Sequence, residues 1–228
     1  MPARKIPLNY RHITGYIQSD KSDEYTHFEA SLERDALILC EFDPNIEYFK
    51  TQPRRFNYLL NGKKHHYTPD IMVKYKDGVI LYVEVKYRED LKKSWTELKP
   101  KFKAAIKELK LEPYIRFKIW TENEIRSTYL KNVTFLLPYK KRPFETYQMA
   151  TIEKILSRIH KSTPRELIEL CSTSLIEQAE FLNTLWHAVA SGIVKIDFNF
   201  PLNMSSPIWM ETHSSSKTIK ANKEITNV

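Results

Sequence analysis

Between Glu24 and Phe42 the apolar residues Phe28, Leu32, Ala36 and Leu39 recur at helical spacing, and the later turns, ALILC, are apolar all round. That pattern predicts a helix sunk into a core, ended by Asp43-Pro44. After an irregular stretch closing on Gln52-Pro53, Arg54 to Leu60 alternates as a strand and turns at Asn61-Gly62, a hairpin signal. Two further strands, Ile71 to Tyr75 and Val79 to Val85, are joined across Lys76-Asp77-Gly78, and the second is apolar on both faces, as a central strand should be. Trp95, Leu98, Phe102, Ile106 and Leu109 then mark one face of a helix, with Trp95 assigned to the core and Pro100 expected to kink or restart the helix. Tyr114 to Trp120 reads as a strand, Thr121 and Glu124 as a capping box, and Val133 to Leu137 as a last strand before the turn Pro138 to Pro143.

The stretch YKKRPFE opens a different pattern. Thr146 to His160 is helical, Thr163-Pro164-Arg165-Glu166 is a capping box with proline at the first helical position, and Ser174 to Glu177 reads as another box. The helices they start, 164 to 171 and 175 to 190, are separated by CSTS, and Gly192 suits the C-terminal cap of the second. Ile193 to Phe198 and Ile208 to Met210 suit the strands of a wing, so the segment reads as a helix-turn-helix with a β-hairpin. The expected organisation is an α/β domain over residues 1–143, a mainly helical winged-helix domain over 144–210, and a disordered polar tail over 211–228.

Composition narrows the chemistry. The 228 residues carry 36 basic and 28 acidic side chains, net +8, but the excess is local: residues 1–49 sum to −4, 50–143 to +13 and 144–228 to −1. A surplus confined to one segment is the footprint of polyanion binding, although the lysine-rich stretch 99–110 would also suit a solvated helix face. Only four glycines are present where average usage would give about 16, and none belongs to a GxGxxG or GxxxxGK pattern, which argues against a phosphate-cradling loop. The apolar runs are far shorter than the roughly 18 residues of a membrane span, and MPARKIPLNYRH lacks an apolar signal region. Cys40 and Cys171, far apart within apolar helical patterns, read as reduced core thiols of a cytoplasmic protein.

The chemistry concentrates in YTPDIMVKYKDGVILYVEVKYRED. Glu84 and Lys86, two apart, project from one strand face at the end of an apolar run, where ionised groups need a partner or a metal. Asp70 is the second acid, and turn length decides whether it meets Glu84. A two-residue loop pairs positions summing to 155 and sets the two acids on opposite faces. A three-residue loop, Lys76-Asp77-Gly78 with Gly78 left-handed, pairs positions summing to 154 and sets Asp70 opposite Glu84, and this is the expected register. Glu33, at the start of the apolar helix, adds a third acid. Among weaker candidates, His65 and His66 fall on opposite faces of a strand, and Lys99 and Lys103 could meet a nucleic-acid backbone.

This order of elements resembles the PD-(D/E)xK nucleases, a restriction-endonuclease-like mixed sheet with flanking helices. FEASLERD near the helix start, FKTQP, the YTPD strand and the EVK strand are more closely similar to the TnsA endonucleases, the subunit of heteromeric transposases that cuts the 5′ ends of the element. The resemblance runs from about residue 10 to residue 210. It implies Glu33, Asp70 and Glu84 as metal ligands and Lys86 as the catalytic lysine; some members carry glutamine where Glu84 stands. Gln52, in the family-like FKTQP stretch, is expected either to line the site against DNA or to serve a structural turn. It also implies transposon-end DNA as substrate, a partner transposase that cuts and joins the 3′ ends, and an ATP-using regulator contacted through the C-terminal domain. The chemistry agrees: hard carboxylates suit Mg²⁺, with Mn²⁺ able to substitute, two ions per site, and the Val85 carbonyl as a further oxygen. The second helix of the helix-turn-helix has no lysine or arginine, so that module is expected to bind protein rather than DNA. The competing readings are a stand-alone PD-(D/E)xK nuclease of restriction or repair and a non-catalytic DNA-binding regulator.

Overall fold

The computed structural model describes residues 14–22 and 26–211. In chain order it contains β1 (Gly15–Ile17), β2 (Thr26–Phe28), α1 (Ser31–Phe42), β3 (Ile46–Thr51), β4 (Phe56–Leu60), β5 (Lys63–Tyr67), β6 (Ile71–Tyr75), β7 (Ile80–Val85), α2 (Arg88–Lys93), α3 (Trp95–Leu109), β8 (Ile115–Trp120), α4 (Glu122–Ile125) and α5 (Thr128–Leu136). A 3₁₀ turn, Leu137–Lys141, leads to α6 (Thr146–Ile159), β9 (Lys161–Ser162), α7 (Pro164–Cys171), α8 (Leu175–Ala190), β10 (Lys195–Ile196) and β11 (Ile208–Trp209). Two compact units divide between Leu137 and Pro138. The polar tail beyond Glu211 lies outside the described residues.

The first unit is built on a mixed four-stranded sheet in the order β3-β6-β7-β8, with β7 antiparallel to β6 and parallel to β8. Side-chain alternation gives the sheet two covered faces. Ile71, Val73, Val83 and Val85 meet the α1 residues Leu32, Ala36, Leu37 and Cys40 on one side. Tyr82, Met72 and Phe117 meet the α3 residues Leu98, Phe102, Ala105 and Leu109 on the other. The register is Ile71↔Val83, Met72↔Tyr82, Val73↔Leu81 and Lys74↔Ile80, every pair summing to 154. Tyr75 N–H donates to the Val79 carbonyl at 2.8 Å and Gly78 has φ +87°, so the three-residue turn forms as expected.

Several expectations are corrected. The first helix starts at Ser31 rather than Glu24, because Thr26–Phe28 pairs with Gly15–Ile17 as a strand, although Phe28 still enters the core. The supposedly irregular stretch before Gln52 is β3, whose bulge between Ile46 and Tyr48 leaves Ile46 and Phe49 as its buried positions, three apart, and so hides the period of two. Pro100 lies inside α3, and the helical break falls at Ser94 instead. Trp95 is 45% exposed, not core. Val133 to Leu137 is no strand: Asn132, Val133 and Leu136 are the buried positions of α5, which packs on α1. A mostly apolar stretch of five residues, VTFLL, cannot show which period it obeys.

In the second unit, α7 and α8 occupy the expected ranges, and the Thr163 capping box forms, with Thr163 N–H donating to Glu166 at 3.0 Å and Glu166 N–H to Thr163 Oγ1 at 3.3 Å. The second expected box does not form. Ser174 makes no side-chain cap; Ser172 takes that place, its hydroxyl donating to Glu177 at 2.5 Å and accepting from Ser174 N–H at 3.0 Å. Strands β10 and β9 flank β11 in a small antiparallel sheet, and Gly192 is left-handed after α8. Both cysteines are free; Cys40 is fully buried, its thiol pushed up to about 12 by burial, whereas Cys171 is only half-buried. Among the described residues no helix is long and apolar enough to cross a membrane.

Candidate active site

The sheet ends that follow β3 and β7 and precede β6 bring the predicted residues together. Pro69 has no N–H to donate, and the β6–β7 ladder stops at Ile71↔Val83. The Asp70 carboxylate then accepts the next backbone N–H, that of Val85, at 2.7 Å. The 154 register sets Asp70 opposite Glu84, on the sheet face covered by α3. Glu84 is 2% exposed on the central strand, and it is compensated on three sides. Tyr67 O–H donates to its Oε2 at 2.7 Å, Lys101 Nζ lies 3.4 Å from Oε1, and Lys86 Nζ lies 3.9 Å from the same oxygen. A carboxylate buried this deeply persists only with such partners.

Glu33 sits in the first turn of α1 and accepts Glu29 N–H at 2.7 Å. Burial raises its carboxyl above the usual range, with the Glu29 and Glu84 charges adding to the effect. Burial likewise pushes the Asp70 carboxyl well up, and the negative charges of Glu84 and Glu33 push it further. The three acids therefore share one electrostatic neighbourhood, which Lys86 partly neutralises. The Lys86 side chain keeps 35% of its surface exposed, so its ammonium can reach both Glu84 and an incoming anion.

Gln52 has a left-handed backbone, φ +46°, and its N–H donates to the Asp70 carbonyl at 2.8 Å. Its Nε2 lies 3.4 Å from Glu29, while its Oε1 is enclosed without a hydrogen-bond partner among the described residues. A non-glycine residue held left-handed beside the acids, with an orphaned oxygen, is the kind of strain that collects at functional sites. Lys99 and Lys103 are exposed on α3 and point away from the acids' side of the helix; the lysine that reaches Glu84 is Lys101. Sequence reading missed Lys101 and Tyr67. Lys101 could have been found from its spacing, since it shares a stripe with the buried Ala105 and Leu109, four and eight residues on, where a lysine needs a counter-charge.

The three carboxylates feel one another's charge and two of them are raised, and their hard oxygens are of the kind a divalent cation takes; its charge would reverse the raising of Asp70 and Glu33. As the side chains stand, each acid is turned onto a protein partner. Among the described residues no three histidine, cysteine or acidic side chains converge tightly enough to grip an ion.

The comparisons bear on the same residues. The family model described as TnsA-like endonuclease N terminal matches residues 43–122, which include Asp70, Glu84 and Lys86 and leave Glu33 outside. The model described as TnsA endonuclease C terminal matches residues 124–198. The two matches meet near residue 123, whereas the structural division comes at Leu137, so α5 falls in the C-terminal match yet packs on α1. No curated protein matches the chain. With consecutive TnsA matches covering residues 43–198 on a mixed sheet that gathers its acids at one end, this chain belongs to the TnsA endonuclease family.

Proposed function

We propose that the chain is a metal-dependent DNA endonuclease that cuts the 5′ ends, the non-transferred strands, of a transposon within a heteromeric transposase. The observation that carries this reading is the electrostatic clustering of Glu33, Asp70, Glu84 and Lys86 in a TnsA-family chain. Asp70 and Glu84 would hold Mg²⁺, with Mn²⁺ as substitute, helped by the Val85 carbonyl, and Glu33 would serve a second ion. Bound there, such ions supply charge neutralisation at the phosphate and acidify the attacking water.

The remaining work belongs to the chain's own groups. Lys86, anchored beside Glu84 yet open to solvent, offers its ammonium to a nonbridging phosphate oxygen and stabilises the charge that builds up in the transition state. Tyr67 and Lys101 fix the orientation of Glu84 from the α3 side. Gln52 holds the Asp70 backbone through the Asp70 carbonyl.

The second unit suits a winged-helix module: α7 and α8 are joined by a short turn and accompanied by the β9-β11-β10 sheet. Helix α8 carries Glu177 and Glu180 and no lysine or arginine, and Leu170, Leu175 and Ile176 are exposed around the α7–α8 turn. An acidic helix beside exposed apolar residues favours protein partners, and here the 3′-end transposase and the ATP-using regulator are the proposed ones.

The test is Asp70→Asn in the full chain, assayed with its partner transposase on transposon-end DNA. Cleavage of the 5′ strand should fall below detection, with the fold retained and the stabilisation by Mg²⁺ or Mn²⁺ lost. Lys86→Ala should lower cleavage by about 10²–10³-fold while sparing metal binding. Undiminished cleavage by Asp70→Asn overturns the reading.

A further inference from the structure

The β4–β5 hairpin is not absorbed by the site. It forms its own two-stranded sheet, separate from the β3-β6-β7-β8 sheet. Its base is core: Phe56 and Tyr67 are buried, paired across the ladder, and packed with Tyr82 and Phe102 at ring separations of 5.6 and 5.7 Å. Tyr58 also packs against this core, and the outer part of the hairpin stands in solvent. Asn57, Leu59 and the whole run Asn61 to His66 are exposed, Leu59 at 71%.

The charge is one-signed. Residues 48–69 contain Lys50, Arg54, Arg55, Lys63 and Lys64 and not a single acid. Arg54 pairs with Glu108, but among the described residues Lys63 and Lys64 have no ionic partner. A surface kept charged only for solubility intersperses both signs. Strand alternation places Lys63 and His65 on one face of the ribbon and Lys64 and His66 on the other, and His65 stacks on its cross-strand neighbour Tyr58 at 5.5 Å. Both faces are therefore cationic, as a ribbon lying between two phosphate rims requires. A B-DNA major groove about 12 Å wide admits a two-stranded ribbon.

We infer that the β4–β5 hairpin is a duplex-binding ribbon that enters the major groove beside the cleaved phosphate and sets the chain's register on the DNA. This deepens the nuclease reading and rests on it for the position of the cut. Tyr67 ends the ribbon and touches Glu84 at 2.7 Å, so the scale is set. At about 3.4 Å per residue, the Asn61-Gly62 tip lies roughly 17 Å from Tyr67 along the ribbon. Lys63 and Lys64, four and three residues from Tyr67, lie about 14 and 10 Å along it, and at about 3.4 Å per base pair, with the ribbon running along the groove, their contacts fall some three to four base pairs from the scissile phosphate.

The experiment uses the full chain and the double substitution Lys63→Ala with Lys64→Ala, with binding to a duplex of about 30 base pairs followed by fluorescence anisotropy from about 50 to 200 mM salt. The expected result is an affinity lower by about tenfold, a salt slope reduced by about two, and an unchanged melting temperature and Mn²⁺ affinity. Hydroxyl-radical protection about three to four base pairs from the cut should also disappear. Equal affinity and slope in wild type and variant, or a wild type that fails to bind duplex at about 50 mM salt, overturns the inference; retained DNA binding with lost capture of the partner transposase would also overturn it, by making the ribbon a protein contact. Asp70→Asn separates the two readings. Cleavage lost there with DNA binding intact upholds the nuclease reading whatever the ribbon does, and a ribbon phenotype in a chain that never cleaves upholds only the ribbon.

Discussion

Asp70 and Glu33 are held in the folded protein with their carboxyls raised, first by burial and then by each other and by neighbouring acids. The sign of the consequence is the reverse of the usual salt-bridged carboxylate. A group whose folded value lies above its unfolded one contributes stability that is fully present below about pH 4, where carboxyls ordinarily titrate, and loses it as pH rises through the folded value. The metal-free protein should therefore melt progressively lower as pH rises from acid towards neutral, and Asp70→Asn, which cannot ionise, should flatten that slope. Melting curves in the presence of a chelator check this; equal slopes in wild type and Asp70→Asn would remove the electrostatic case for a cation between these acids. The pairing of Glu84 with Lys86 and its opposition to Asp70 were legible in the sequence, since both follow from a period of two and a turn length. Lys101 and Tyr67 were not, because they come to Glu84 from 17 residues away on either side through α3 and the hairpin.

At the scale of elements, the β6–β7 turn carries the site's geometry. Gly78 sits at φ +87°, and a Cβ there would meet nothing within 4 Å. Gly78→Ala should therefore cost only the backbone penalty, about 1 kcal/mol, without a clash. Denaturant unfolding measures that cost. A larger loss accompanied by lost cleavage would mean that the 154 register itself had slipped, which would turn Asp70 and Glu84 to opposite faces. The elements misread from sequence share a cause. The β3 bulge displaced a periodic signal, α5 had an apolar run too short to declare its period, and the strand Thr26–Phe28 looked helical because Phe28 happens to fall in phase with α1.

Over the whole molecule, the cationic surplus falls mostly in the first compact unit: residues 50–137 sum to +10, whereas the second unit, residues 138–228, sums to +2. Leu156, fully buried in α6, tests how independently the second one holds together. Leu156→Ala removes core volume and should cost about 2–5 kcal/mol. Hydrogen exchange should show lost protection in α6, α7 and α8, with protection in β6 and β7 and the Mn²⁺ affinity unchanged. Loss of protection in both units would show that they unfold as one.

What the sequence determined by itself was the local chemistry: which strand is central, which capping boxes start α4 and α7, the glycine that sets a register, and the Glu84-x-Lys86 pair two residues apart on one strand. These are short-range consequences of side-chain period and backbone conformation, readable within a dozen residues. Only the tertiary structure decided what surrounds that pair. The turning of Tyr67 and Lys101 onto Glu84, the strained Gln52 against Asp70 and the separation of a cationic ribbon from the main sheet depend on contacts between segments distant in the chain. Such contacts are selected by how whole faces bury against one another, and no local pattern records that choice.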